Sequence, residues 1–82
     1  MINIKFEHDA DRASAFDGKV KIGECVFVEE GNNWNIVTTR VNSNYQGQGI
    51  ARRLVEVVLK HAAKNQKKVV ATCSFAKKVI EK

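Results

Sequence analysis

The stretch Asn44–Lys60, NYQGQGIARRLVEVVLK, runs from a glycine-spaced turn directly into an amphipathic helix pattern. From Gly49 onward Ile50, Leu54, Val57, Val58 and His61 recur at steps of three and four, while Arg52, Arg53, Glu56 and Lys60 fill the other face. That periodicity predicts a helix ending near Lys64 or Asn65. A helix N-terminus presents unpaired amide N–H groups and the positive end of the macrodipole, so a phosphate placed there meets donors and favourable potential together. Gly47 and Gly49 leave no side chain in the way and permit positive φ, so successive N–H groups can converge into an anion-binding nest. The same glycines would also serve a plain strand-to-helix turn. The spacing is neither a dinucleotide fingerprint, which needs G-x-G-x-x-G, nor a Walker loop, since no Gly-Lys-Ser/Thr occurs.

Outward from this stretch the chain reads as strands before the helix and one strand after it. Ile2, Ile4 and Phe6 alternate with Asn3, Lys5 and Glu7, the period of a half-buried strand. Asp17-Gly18 suits a tight hairpin turn between two extended runs. A second turn, GNN from Gly31, separates ECVFVEE from NWNIVTTRV, both rich in β-branched and aromatic residues. Trp34 and Phe27 are expected to pair across that hairpin. After the helix, the polar KNQKK leads into VVAT, a short strand, and SFAKKVIEK reads as a final short helix. The strand after the long helix is expected parallel to the one before it, because strand, helix, strand is the usual crossover unit. The predicted class is α/β (α+β): an antiparallel meander, a long helix, a parallel strand and a short C-terminal helix.

Composition narrows the function classes. A chain of 82 residues is close to the size at which one core is only just sufficient, so a single domain over residues 1–82 is expected. No apolar run is long enough to cross a membrane, and MINIKFEHDADR has neither the basic start nor the long apolar stretch of a signal peptide. Neither export nor a membrane partner is expected. The two cysteines, Cys25 and Cys73, fit reduced thiols in a cytoplasm better than a disulfide framework. A net charge of +5 suits an anionic partner. Nucleic acid is disfavoured, because Tyr45 and Phe75 are few aromatics for a stacking platform and no RNA- or DNA-binding motif occurs. A monomer is expected.

Gln46-Gly47-Gln48-Gly49-Ile50-Ala51 resembles the Q/R-x-x-G-x-G/A signature of the GNAT superfamily of N-acetyltransferases, with Gln46, Gly49 and Ala51 in the defining places. The position matches as well, since in that family the signature follows the last meander strand and opens the long central helix. The resemblance implies acetyl-coenzyme A as cofactor, its pyrophosphate held by backbone N–H groups of Gln46, Gly47, Gln48, Gly49, Ile50 and Ala51. It also implies that the pantetheine arm pairs with the strand backbone from Thr39 to Val41, and that acetyl passes to an unidentified amine. The short chain and the segment ATCSFAKKVI resemble a small single-domain GNAT-like group with a C-terminal cysteine motif, and Cys73 falls on that cysteine. Members of the group often carry a His-Thr pair before the loop; here Thr38-Thr39 occupy that place.

Cys73 stands where VVAT gives way to the terminal helix, and a thiol at a helix N-terminus can have a lowered pKa. It is therefore a candidate for the acyl-transfer site, against the plain alternative of a small packed residue. A coenzyme A-binding module without turnover is the second reading, because so short a chain leaves little room for an acceptor side; the usual tyrosine acid is also missing, since the one tyrosine, Tyr45, stands next to the loop and not beside Cys73. His61 reads as a packed histidine and Cys25 as core. His8 with Asp9 and Asp11 could bind a metal on paper, but no second cluster supports it, so no metal is expected. Glu29 or Glu30 would serve as a general base only if it faced the cofactor. Arg52, Arg53, Lys77 and Lys78 bring positive charge toward the expected ligand.

Overall fold

The computed structural model describes residues 1–81. The strands are β1 (Ile2–Glu7), β2 (Arg12–Asp17), β3 (Val20–Glu30), β4 (Asn33–Val41) and β5 (Lys68–Ala71), and the helices are α1 (Ile50–Lys64) and α2 (Ser74–Ile80). Short 3-10 turns at His8–Ala10 and Ser43–Tyr45 link β1 to β2 and β4 toward α1. The sheet has five strands in chain order, antiparallel from β1 through β4, with β5 parallel to β4. The sequence patterns place the strands and both helices, though not the 3-10 turns, and the fold is the mixed α/β arrangement they predict.

One face of the sheet is covered by α1, which touches every strand, and α2 packs against β5, β4 and α1. Cover from more than one side changes the helix stripe from the one its periodicity suggests. Ile50, Leu54 and Val58 are buried as expected, but Val55 and Ala62 are buried with them, whereas Val57 is only half-buried. The core is completed by Trp34, Phe27, Ile36, Cys25, Ala13 and Ala15. Phe27 and Trp34 stack with ring centroids 4.3 Å apart. They do so diagonally, since the register sets Phe27 opposite Ile36 and Glu29 opposite Trp34. Offset stacking of large rings adds to the area they bury. His61 joins this aromatic layer, stacked on Phe6 at 4.0 Å, and burial lowers its pKa.

Two irregularities shape the end of the sheet that matters for function. The β3–β4 register shifts between Val26 and Phe27, so Val26 faces Thr38 while Phe27 faces Ile36, and Val37 is the extra residue of a bulge. The parallel pairing of β4 with β5 runs only from Asn33 to Ile36. There the Ile36 carbonyl accepts hydrogen bonds from the N–H groups of both Thr72 and Cys73, at 3.0 and 3.1 Å, and the chain turns away into α2. Thr38 to Val41 continue alone on that side. No helix among the described residues is long and apolar enough to cross a membrane.

Candidate functional site

The gap left by the parting of β4 and β5 is a cleft of about 680 Å³. Thr39, Arg40 and Val41 of β4 form one wall, and Phe75, Lys78 and Val79 of α2 form the other. Its floor at one end is the loop Tyr45 to Gly49 with Ile50, Ala51 and Arg52 of α1. Of the residues singled out from the sequence, Thr39, Val41, Gln46, Gly47, Gly49, Ile50 and Ala51 line this one cavity, while Gln48 is exposed outside it.

The loop has the form an anion site needs. Gly47 and Gly49 take φ of 82° and 76°, and a Cβ at either would meet nothing within 4 Å, so the glycines serve the backbone conformation and leave the approach open. Gly49 is the N-cap of α1 and carries no side chain to accept from the first-turn N–H groups; the first α-helical bond in this turn is Arg53 N–H to the Gly49 carbonyl, at 3.1 Å. The first turn has no acidic residue. Instead it holds Arg52 and Arg53, cations that the helix dipole disfavours there. An anion bound at the turn would relieve that repulsion. Among the described residues Arg52 pairs with Glu56 one turn on, at 3.2 Å, an exposed pair of little energetic weight.

Other side chains hold the loop in place. Gln46 Nε2 donates to the Val41 carbonyl at 3.5 Å, and the Asn42 side chain accepts from the Asn44 N–H at 2.9 Å. Tyr45 Oη donates to Asp17 Oδ2 at 2.6 Å, which ties the loop to the β2–β3 turn. That bond raises the pKa of Tyr45 and lowers that of Asp17, which also accepts from the N-terminal ammonium. Gly23 of β3 is a further supporting residue that the sequence did not mark. A Cβ there would lie 3.0 Å from the Arg40 carbonyl oxygen, 3.2 Å from Val41 and 3.4 Å from Leu54, so α1 and the end of β4 close over it only because it is glycine.

Cys73 does not line the cleft wall, but it stands directly behind Thr39: its Sγ is 3.6 Å from Thr39 Oγ1. Burial pushes this thiol up, yet hydrogen bonding from the Ala76 N–H, the Thr39 hydroxyl and the N–H groups of Phe75 and Thr39 outweighs it, and the pKa is lowered. Cys25 is the opposite case. It is fully buried and its pKa is pushed up to about 11, although Thr39 Oγ1 also lies 3.6 Å from its sulfur.

The remaining candidates lie elsewhere. Glu29 and Glu30 sit at the β3–β4 turn, at the far end of β4 from Thr39, and Glu30 accepts from Asn35 Nδ2 at 3.4 Å. Neither faces the cleft, so neither is the conditional base. His8 packs edge-on against Phe6 and Trp34, and among the described residues no three His, Cys, Asp or Glu side chains gather as a metal-binding group. Phe75 and Val79 are lining residues that sequence reading did not place there, and Arg40 lies within the expected run Thr39 to Val41 but was not singled out for its side chain. Alternation along β4 could have hinted at Arg40; the α2 pair depends on how that helix docks.

A central helix whose uncapped start faces a strand that has lost its parallel partner is the architecture of the GCN5-related acetyltransferases. The chain belongs to that family: residues 5–82 match the GCN5-related N-acetyl-transferase profile. A GCN5-like protein from Staphylococcus aureus, known from its solution structure, is similar in sequence and fold. It is 31% identical over 96% of this chain and 78% of its own, with a TM-score of 0.74. A protein of unknown function from methicillin-resistant Staphylococcus aureus shares the fold at 16% identity, over 99% of this chain and 86% of its own, with a TM-score of 0.74. Diaminobutyrate acetyltransferase from Paenibacillus lautus, in complex with its substrate L-2,4-diaminobutyric acid and coenzyme A, shares the fold at 14% identity and a TM-score of 0.67. That likeness covers 90% of this chain but 47% of the larger enzyme. No curated protein gives a significant match in sequence.

Proposed function

We propose that residues 1–82 form one acetyl-coenzyme A-binding domain that transfers acetyl to an amine. The observation that carries this reading is the one cleft in which the uncapped glycine turn before α1 meets the edge of β4, Thr39 to Val41, that β5 leaves without a strand partner. When bound, acetyl-coenzyme A supplies an acyl thioester. The chain's part is to bind and orient it. Backbone N–H groups from Gln46 to Ala51 receive the pyrophosphate at the open glycine turn. The free edge of β4 offers hydrogen bonds to the amides of an extended arm, as a missing strand would. Arg40, Arg52 and Lys78, all lining the cleft, supply cations for the remaining phosphate charge.

Cys73, behind Thr39 and with a lowered pKa, is the proposed acyl-transfer residue. Its sulfur would take the acetyl group through a new C–S bond as the donor thiol departs, and an amine would then receive the acetyl as that bond breaks and the Cys73 thiol is restored. The relative bound to coenzyme A and a diamine substrate supports the cofactor and the amine acceptor class. Reduced thiols, a monomer and a cytoplasmic setting complete the reading.

One observation favours the second reading, a binding module that holds coenzyme A without turnover. The Tyr45 hydroxyl is engaged with Asp17 and its pKa is raised, so it is poorly suited to protonate a departing thiolate. Amide NMR of the labelled protein with coenzyme A and then acetyl-coenzyme A, followed by intact mass, separates the possibilities. The enzyme reading expects Gly47 to Ala51 to shift and one acetyl group to appear, absent in Cys73→Ser. Shifts without added mass, and without product in an amine screen, leave the binder. Loop amides that stay still at millimolar ligand refute both.

A further inference from the structure

The fold places two thiols on either side of one hydroxyl. Thr39 Oγ1, in β4, is 3.6 Å from Cys25 Sγ of β3 and 3.6 Å from Cys73 Sγ at the start of α2. Cys25 and Thr39 are register partners across β3 and β4 on the face under α1. Cys73 reaches the same hydroxyl because its N–H is fixed to the Ile36 carbonyl as β5 ends. Thr39 is also the only member of the three that lines the cleft.

A hydroxyl has one proton to donate and lone pairs to accept with. With Cys73 protonated, its S–H donates to Thr39 Oγ1, and the Thr39 hydroxyl donates onward to Cys25. Once the half-buried Cys73 has lost its proton to solvent, that arrangement leaves a thiolate facing a lone pair. A rotation of the Thr39 hydroxyl removes the conflict: its proton turns to the Cys73 thiolate, and Cys25 S–H donates to the oxygen in return. In both states the Thr39 hydroxyl donates once and accepts once, and the second puts a donor on the charge. We infer that Thr39 is a positioning residue for Cys73, a reversible hydrogen-bond relay whose far end is the buried thiol of Cys25.

The two thiols suit these unequal roles. Burial without a neighbouring cation keeps Cys25 protonated far above neutral pH, so it can remain a donor while Cys73 ionises. The groups facing Cys73 are the Thr39 hydroxyl and N–H from β4, the Phe75 and Ala76 N–H groups from α2, and the Cys25 thiol from β3. The charged side chains lining the adjoining cleft are Arg40 of β4, Arg52 of α1 and Lys78 of α2. The Thr39 hydroxyl is one of several donors to the Cys73 sulfur, so the relay sets a part of the shift that a variant at position 39 isolates.

The relay rests on the acyl-transfer reading of Cys73 for its purpose, but its test needs no coenzyme A. The rate of Cys73 alkylation by iodoacetamide, followed by peptide mass across pH, reports thiolate directly. Thr39→Val should move the midpoint up by about one pH unit, the scale of one hydrogen bond to a charged group. Thr39→Ser, which keeps the hydroxyl, should return it toward the parent value. A Thr39→Val midpoint equal to the parent's, or a Thr39→Ser midpoint that moves as far as that of Thr39→Val, overturns the relay. Should Thr39→Val fail to fold, the 13Cβ shifts of the unaltered protein decide the matter. Cys25 must then show an inflection at the pH where Cys73 titrates, and a flat Cys25 trace overturns the proposal. Coenzyme A that fails to bind while the midpoint shifts would defeat the proposed function and leave the relay standing.

Discussion

Tyr45 Oη donates to Asp17 Oδ2 at 2.6 Å, joining the loop before α1 to the end of β2. The bond fixes the loop that ends in Gly49 against the β2–β3 turn, so its first consequence is for ligand binding. Tyr45→Phe is expected to weaken coenzyme A binding several-fold in a calorimetric titration while leaving the melting temperature close to that of the parent. Unchanged affinity would show that the loop holds its shape without the tie.

The glycines of the loop predict a sharper loss. Gly49→Ala forces a left-handed φ on a residue with a Cβ, a strain of about 1–2 kcal/mol. The melting temperature should fall accordingly, and coenzyme A affinity should fall further, because relaxation of the strain turns the first-turn N–H groups away. A variant that melts lower but binds normally would separate the turn's shape from its role as a cradle.

Gly23 has no contact with the cleft, yet its substitution should reach it. The added Cβ of Gly23→Ala would sit 3.0 Å from the Arg40 carbonyl oxygen, so β4 or α1 must shift. Overpacking of this kind costs about 1–3 kcal/mol. Chemical denaturation followed by the fluorescence of Trp34, the only tryptophan, measures it. Amide shifts at Arg40 and Val41 should move with it.

The two cysteines should react very differently. Iodoacetamide is expected to modify Cys73 with a rate that levels off below the ordinary thiol range, since its pKa is lowered. Cys25, fully buried with its pKa pushed up to about 11, should stay unmodified until the protein unfolds. Equal labelling of both in the folded state would contradict the placement of Cys25 in the core.

Acid should destabilise the outer face of the sheet. Glu7 Oε1 accepts from Ser14 Oγ at 2.6 Å and from Arg12 Nε at 2.7 Å, and both bonds lower its pKa. The stabilisation is therefore present above the unfolded carboxylate pKa and is lost as pH falls through the lower, folded value. Glu7→Gln should flatten the decline of stability with acid seen in the parent. The comparison is read from Trp34 fluorescence midpoints in urea across pH.

The order of strands and helices could be read along the chain because each element carries its own local signal. The alternation of Ile2, Ile4 and Phe6, the Asp17-Gly18 turn and the three- and four-residue steps after Gly49 each depend on neighbours in sequence. So does the candidate anion turn, since positive φ at Gly47 and Gly49 is a local backbone property. The buried stripe of α1 was legible only in part. Val55 and Ala62 are buried on a helix that packs on both the sheet and α2, and helical period alone does not say how wide the covering will be.

What the sequence determined by itself was the α/β succession, the family signature and the turn that opens the central helix. Tertiary structure alone decided what that turn faces. The bulge at Val37, the end of β5 pairing at Ile36 and the docking of α2 together open the cleft. The same three features bring Cys73 and Cys25 to the hydroxyl of Thr39, across 34 and 14 residues of chain. Local patterns report the energy of residues close in sequence, whereas these contacts are fixed by strand register and helix packing, which depend on the whole core closing at once.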